Sequence, residues 1–239
     1  MRRVVFSALA GLLAATSASA QLPTRPIDPG PRLRITPFVG QAPQFERDER
    51  WTLSNGMLNG TVAMQTSFAS GSAVGGVLDA RLTERFGFVA SGVYISRKAT
   101  VDFETGDVAP GSNFLLAKAG ISLRLHEPIS EMQMRQLTAS IFAAPALVRE
   151  MPKEDLSLAD PTLDDPINHY GLNLGVETEI PLNGNSIALQ LAAEDFIVWW
   201  NESELAERLD AGAGLSGSVV DTDPSHMWVF RAGLTFRVR

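Results

Sequence analysis

Three stretches of the chain alternate apolar and polar residues one by one. In 115–125, Leu115, Ala117, Ala119, Ile121, Leu123 and Leu125 share one face, and Leu116, Lys118, Gly120, Ser122 and Arg124 share the other. In 170–180, Tyr170, Leu172, Leu174, Val176 and Ile180 oppose Gly171, Asn173, Gly175, Glu177 and Glu179. In the last stretch, Trp228, Phe230, Ala232, Leu234, Phe236 and Val238 oppose Val229, Arg231, Gly233, Thr235 and Arg237. Side chains on a strand point alternately to its two faces, so this period predicts strands with one apolar face. Further strand-sized segments lie at about 33–41, 73–82, 86–97, 136–148 and 186–200, eight in all.

The connectors between these segments run long, short, long, medium, long, short, long. Thr83-Glu84-Arg85 and Pro181-Leu182-Asn183-Gly184-Asn185 are the short ones, and the second holds an Asn-Gly pair suited to a tight hairpin. His126 to Arg135 is the medium one. Residues 42–72, 98–114, 149–169 and 201–225 are the long ones, expected as four loops on the opposite side. The fold class expected is all-β, an eight-stranded antiparallel up-and-down transmembrane β-barrel.

Strand length supports the membrane. Leu115 to Leu125 spans roughly 33 Å at about 3.3 Å per residue. Tilted by about 40°, that is a rise of roughly 25 Å, the height of a lipid-facing band. A strand in a soluble sandwich is usually about 5–6 residues. Aromatics fall where girdles are expected: Phe86 and Phe236 toward the short-connector rim, and Tyr170, Trp199, Trp200 and Trp228 toward the long-connector rim.

Two features strain the pattern. Pro37 and Pro145 fall inside strands, where proline removes a ladder hydrogen bond, so each is expected to mark a bulge or the rim. In the seventh segment Ile187, Leu189, Leu191 and Ala193 face lipid, and strict alternation would send Asp195 there too. A bulge near 193–195 is therefore expected, turning Asp195 inward and Phe196, Val198 and Trp200 outward.

The start of the chain adds an address. Arg2 and Arg3, an apolar run from Val4 to Ala15, and Ala18-Ser19-Ala20 read as a secretory signal peptide over 1–20, cleaved before Gln21. Residues 21–32 carry four prolines and read as an extended periplasmic leader, with the barrel over 33–239. Cleavage leaves 18 basic against 27 acidic residues, a net charge of −9. Such an acidic chain is a poor nucleic-acid binder, because phosphate binding rests on clustered Lys and Arg. The absence of cysteine excludes disulfides and thiolate metal sites.

With strand count, connector rhythm and the closing segment from His226 to Arg239 in view, the chain resembles the small eight-stranded outer-membrane barrels, the OmpX, OmpW and OmpA-barrel class. The resemblance covers 33–239. It implies an outer membrane of the Gram-negative type, both termini periplasmic, and insertion by the barrel assembly machinery, which reads an alternating last strand ending in an aromatic. Here the chain departs from the pattern: it ends on Arg239, and its last aromatic is Phe236.

By parity, Asp79, Arg81, Lys118, Arg124, Glu177, Glu179, Glu194, Arg231 and Arg237 point into the barrel. An eight-stranded barrel is just wide enough for side chains to fill, and buried charges must pair, so these nine form an expected salt-bridge plug. The other motifs point nowhere in particular. Gly212, Gly214 and Gly217 match G-x-G-x-x-G but follow a short helical stretch, Glu202 to Asp210, rather than a strand. His169 and His226 sit near outer-rim acids without any metal-binding motif. Ser225 and His226 are adjacent and so face opposite sides of a strand. The acidic run from Glu150 to Pro166 reads as a solvated outer loop.

The function expected is a non-enzymatic barrel with a structural or surface-interaction role, no cofactor, no metal and outer-membrane lipid as its surroundings. The alternative is OmpW-like passage or binding of a small apolar molecule, lined by Leu116, Val93 or Phe142. A soluble lipocalin-like ligand-binding barrel is the third reading, and it needs an apolar inside and a polar outside.

Overall fold

The computed structural model describes residues 33–238 apart from 56–57, 84, 104–105, 109–110, 126–136, 153–164, 184–185 and 214–215. The signal peptide, the proline-rich leader, the medium connector and most of the acidic run lie outside the described residues. In chain order the strands are β1 (Leu33–Ala42), β2 (Phe45–Asn55), β3 (Leu58–Phe68), β4 (Gly71–Arg81), β5 (Phe86–Phe103), β6 (Gly106–Val108), β7 (Gly111–Arg124), β8 (Thr138–Pro152), β9 (Ile167–Asn183), β10 (Ile187–Trp199), β11 (Val219–Thr222) and β12 (Ser225–Val238). A helix, α1 (Glu202–Ala213), lies between β10 and β11.

Eight of these strands close a barrel in the order β1, β4, β5, β7, β8, β9, β10, β12, with β12 returning to β1. Every neighbouring pair is antiparallel. All eight strand-sized segments of the sequence fall on these barrel strands. Leu33 pairs with both Val238 and Ala80, so both described ends meet at the rim that carries the tight turn closed by Leu82 N–H donating to Phe86 O at 3.0 Å.

The other rim is more built than four loops. The connection 42–72 is a second hairpin, β2–β3, whose β3 continues the pairing of β4 with β5: Phe68 faces Ala99 where Ser72 faces Ser96. β11 adds to the far edge of β2, and β6 folds back on the end of β5. The physical reason is economy of backbone hydrogen bonds: a strand leaving the barrel still has donors and acceptors to satisfy, and its neighbour leaves beside it.

Polarity is inside out. Ile35, Val39, Val74, Leu78, Leu115, Ile121, Leu147, Leu174, Leu191 and Leu234 are exposed on the outer wall. Arg34, Asp79, Lys118, Glu177, Glu194 and Arg231 are buried inside. A soluble ligand-binding barrel requires the reverse. The apolar belt runs from Phe86 and Phe236 at the turn-bearing rim to Tyr94, Tyr170 and Trp199 at the other.

Both prolines correct the expectation of bulges. The β1–β12 ladder skips the pairs at Thr36 and Pro37 but resumes in the same register, Ile35 facing Phe236 and Phe38 facing Gly233. The β7–β8 ladder likewise skips the pairs at Ala144 and Pro145 between Lys118–Ala146 and Ile121–Ala143. Each proline keeps its partner on the opposite neighbour, Gly76 and Leu172. A missing N–H costs one rung and no register. Glycine stands beside each gap: a Cβ on Gly233 would come within 2.5 Å of Pro37 O, and one on Gly120 within 2.2 Å of Ala143 O. Across the first gap the hydroxyls of Thr36 and Thr235 meet at 2.8 Å.

The expected bulge at 193–195 is absent too. β10 pairs with β12 without a shift from Ile187–Phe236 to Val198–Ser225, and the β9–β10 irregularity lies at Ile187/Ala188. Phe196, Val198 and Trp200 therefore face inward and are buried, and Asp195 faces outward. Burying three large apolar groups outweighs one outward carboxylate, whose Oδ2 finds His226 Nδ1 at 2.7 Å on β12.

Candidate functional site

The barrel interior is stacked in layers. Nearest the turn-bearing rim, Arg34 Nη2 lies 2.8 Å from Asp79 Oδ1 and its Nη1 lies 2.6 Å from Glu179 Oε1. Arg124 Nη2 is 3.6 Å from Asp79, and Arg237 Nη2 is 2.9 Å from Glu179. Ser122 donates to Asp79 Oδ2 at 3.2 Å. Arg81 follows Asp79 by two positions on β4, on the same inward face and half-buried.

One level up, a second network holds its charges deeper. Lys118 Nζ lies 2.7 Å from Glu194 Oε2 and donates to Asn173 Oδ1 at 2.8 Å. Arg231 reaches Glu194 Oε1 at 2.5 Å and Glu177 Oε2 at 3.4 Å, and also donates to Gln190. Gln190 Nε2 donates to Glu177 at 3.0 Å. Lys118 Nζ sits 3.8 Å from the centre of the Phe142 ring, a cation–π contact that offsets part of its desolvation. Alternation on six strands delivers these groups to one axis.

The nine residues read from parity are thus inward or half-buried, and ion pairs join Asp79, Lys118, Arg124, Glu177, Glu179, Glu194, Arg231 and Arg237. Sequence reasoning missed Arg34, the hub of the first network, although Arg34, Thr36 and Phe38 alternate with Ile35 and Val39. It placed Ser122 and Asn173 on the inward face without counting them in the network, and it missed Gln190. Polar inward positions on already recognised strands were the available signal.

Above the second network lies an apolar layer that includes Val93, Leu116, Val148, Phe196 and Met227, all buried, while Phe142 lies at the level of the network itself, against Lys118 and Gly175. Beyond it β2 and β3 bring a cap over the outer mouth. Pro43-Gln44 separate β1 from β2, and inward parity switches from even to odd residues, so Phe45, Arg47 and Glu49 point in. Phe45 stacks on Phe68 with ring centres 4.5 Å apart, and Trp200 lies parallel to Phe45 at 6.2 Å. This places Trp200 in the interior, not in the outer girdle. Phe86, Tyr170, Trp199, Trp228 and Phe236 do lie on the outer wall, Trp228 stacked on Phe230 at 6.2 Å.

The cap has its own ionic cluster. Arg47 pairs with Glu49 and, through Nη1, with Glu150 Oε2 at 3.0 Å. Its guanidinium lies 4.6 Å from the centre of a Trp200 ring. Ser112 Oγ donates to Glu150 Oε1 at 3.2 Å. His169, fully buried, places Nε2 3.3 Å from Glu150 Oε2, while Asn201 N–H donates to its Nδ1 at 3.0 Å. Burial opposes ionisation of Glu150, but Arg47 and then the His169 hydrogen bond outweigh it and hold the carboxyl at about 2. The rim histidine of the sequence reading is therefore a packed, hydrogen-bonded group. Glu150, read as the start of a solvated acidic loop, is buried.

On the outer wall Asp195 and His226 form a separate pair. Ser225 is buried on the inner face, where its hydroxyl accepts from Trp200 Nε1 at 3.0 Å and donates to Glu46 O at 3.2 Å. The wall thus divides Ser225 from His226. Among the described residues no group of three or more acidic or histidine side chains could hold a metal. The glycine motif opens on the last turn of α1, and Asp210 accepts from Gly217 N–H at 2.8 Å, a loop closure rather than a strand-to-helix turn.

No family model matches the chain, and no curated protein matches its sequence. Among solved structures, the attachment invasion locus protein Ail of Yersinia pestis aligns at 9% identity over 85% of this chain and 98% of its own, with a TM-score of 0.38. The outer membrane protease OmpT from Escherichia coli aligns at 8% identity over 93% and 100%, with a TM-score of 0.37. The translocator domain of the autotransporter NalP from Neisseria meningitidis aligns at 12% identity over 99% and 96%, with a TM-score of 0.29. Likeness at these scores carries no weight for function. The strand count, the closure and the all-antiparallel pairing are those of the small eight-stranded barrels.

Proposed function

We propose that the protein is a non-enzymatic outer-membrane barrel with a structural and surface-interaction role and a lumen closed by its own side chains. One observation carries the reading: two ionic networks, an apolar layer and an aromatic cap follow one another across the interior of the described barrel. Water-filled passage needs a polar, open path, and the buried pairs Arg34–Glu179 and Lys118–Glu194 occupy the axis where that path would run. The exposed apolar wall fits lipid, and its aromatic edges at Phe86 and Phe236 on one rim and Tyr170 and Trp199 on the other fit two interfaces. In this orientation the termini and tight turns are periplasmic. The β2–β3 hairpin, β6, α1 and β11 stand outside. β12, with outward Phe230, Leu234 and Phe236, is the segment the assembly machinery would read.

Planar-bilayer recording of the purified protein tests the closed lumen. The expected result is a quiet membrane; stable, reproducible conductance steps overturn the reading. Membrane fractionation tests the address, with recovery in the outer membrane expected.

A second reading, capture of a small apolar molecule, draws on Val93 and Leu116 between the inner charges and the cap, with Phe142 below them against Lys118. Saturable quenching of Trp200 by a naphthalene-type probe is its expected signature.

A further inference from the structure

His169 links the wall at Glu150 to two outer segments, the β2–β3 hairpin and α1. Its Nδ1 accepts a hydrogen bond from Asn201 N–H, so that nitrogen carries a lone pair. The proton of the neutral ring is then on Nε2, which donates to Glu150 Oε2 on β8. Glu150 also holds Arg47 of the β2–β3 hairpin. Asn201 is the residue before α1, and its side chain accepts from Glu204 N–H and Ser203 Oγ, capping that helix. The His169 ring meets Trp200 edge-on at 4.7 Å, and Trp200 lies along Phe45 and Phe68.

We infer that His169 is an acid-sensitive latch: taking up a second proton, on Nδ1, turns its acceptor into a donor facing the Asn201 N–H and releases Trp200 and α1 from the outer mouth. Two donors cannot share a hydrogen bond, and the half-buried backbone N–H of Asn201 loses its partner. The bond to Glu150 survives, because Nε2 remains a donor in both states. The release is therefore directed at the β10–α1 segment and leaves the Arg47–Glu150 contact in place. The charged groups around the ring are Glu150 on β8, Arg47 and Glu49 on β2, and Arg208 on α1, with Asp165 and Glu204 close to Arg208. Arg47 and the His169 hydrogen bond hold the Glu150 carboxyl well below the ordinary carboxylate range, so its own protonation is a separate event at lower pH. Opening would expose the Phe45–Phe68 stack and the face of Trp200 to the outside.

The chain has no cysteine, so a spin-label pair can be placed cleanly. Labels on Glu207→Cys and Arg149→Cys, both exposed and on α1 and β8, report the separation of the helix from the wall. In folded, lipid-reconstituted protein, the distance distribution is expected to be narrow at pH 8 and to gain a longer component covering at least half the population at pH 5. His169→Asn keeps an acceptor near the Nδ1 position and cannot protonate; it should stay narrow at both pH values. His169→Gln reaches Glu150 but leaves the Asn201 N–H without an acceptor; it should show the long component at both. His226→Asn should respond as the unsubstituted protein does. An unchanged distribution between pH 8 and pH 5, a His169→Asn variant that still opens in acid, or a response that disappears with His226→Asn overturns the latch.

Discussion

The inner charge network and the outer cap use the same chemistry on different foundations. In the inner half, Arg34, Lys118, Glu177, Glu194 and Arg231 project from strands paired on both sides in a closed cylinder. In the cap, Arg47 and Glu49 come from a hairpin beyond the closed wall, and Glu150 and His169 from the outermost rungs of β8 and β9. A buried ion pair is weak evidence of stability, because desolvation offsets its attraction. What differs is the cost of letting go. Inner groups cannot leave without breaking the barrel. Cap groups can leave with their hairpin or helix. The inner network is thus fitted to filling, and the cap to closing.

Removing one inner cation gives the largest expected effect. Arg231→Met takes the ion-pair partner from Glu177 and leaves Glu194 to Lys118 alone, and should cost about 3–5 kcal/mol in reversible urea unfolding in micelles. A cost below about 1 kcal/mol would break the contrast by showing water reaching the network.

Acid should act on the cap before the wall. The folded Glu150 carboxyl sits at about 2 against an ordinary 4.5, so its contribution is full above pH 4.5 and is lost as pH falls toward 2. The full effect is on the order of 3 kcal/mol, by linkage of that shift. Hydrogen exchange on β2 and β3 should accelerate in this window while β9 and β10 stay protected. Glu150→Gln should show the accelerated exchange already at pH 7.

A change in the wall alone sharpens the comparison from the other side. Gly120→Ala places a Cβ against Ala143 O and Ala144 and should cost about 1–3 kcal/mol of barrel stability by overpacking. Exchange in the cap should be unaffected. The smallest effect belongs to the outer wall: His226→Ala removes a mostly exposed partner of Asp195 and should change stability by less than about 1 kcal/mol.

Much of this architecture was legible locally. The segments 115–125, 170–180 and 226–238 alternate so regularly that both faces could be named residue by residue, and Lys118, Glu177 and Arg231 were found that way. The cap was not, although Phe45, Arg47 and Glu49 alternate with Glu46, Asp48 and Arg50 just as well. Both faces there carry charge, so the apolar contrast that marks a lipid-facing strand is missing. His169 and Glu150 were lost for the same reason: beside an acidic run, nothing local separates a buried carboxylate from a solvated one. The prolines and Asp195 misled in the opposite direction. Local rules demanded a bulge or the rim at each proline and a bulge at Asp195, whereas the neighbouring strands held the register.

Sequence alone determined the number of barrel strands, the inward and outward faces of all but the end of β10 and the side that carries the tight turns, because side-chain alternation and turn chemistry act over a few residues. Tertiary structure decided the rest: the β2–β3 cap, the inward seat of Trp200, the hub role of Arg34 and the partners of His169. Those depend on which strands become neighbours and in what register. Register is set by the closed hydrogen-bond ladder as a whole, which keeps its alignment across a missing rung at Pro37 or Pro145 and turns Asp195 outward to keep Phe196, Val198 and Trp200 inside.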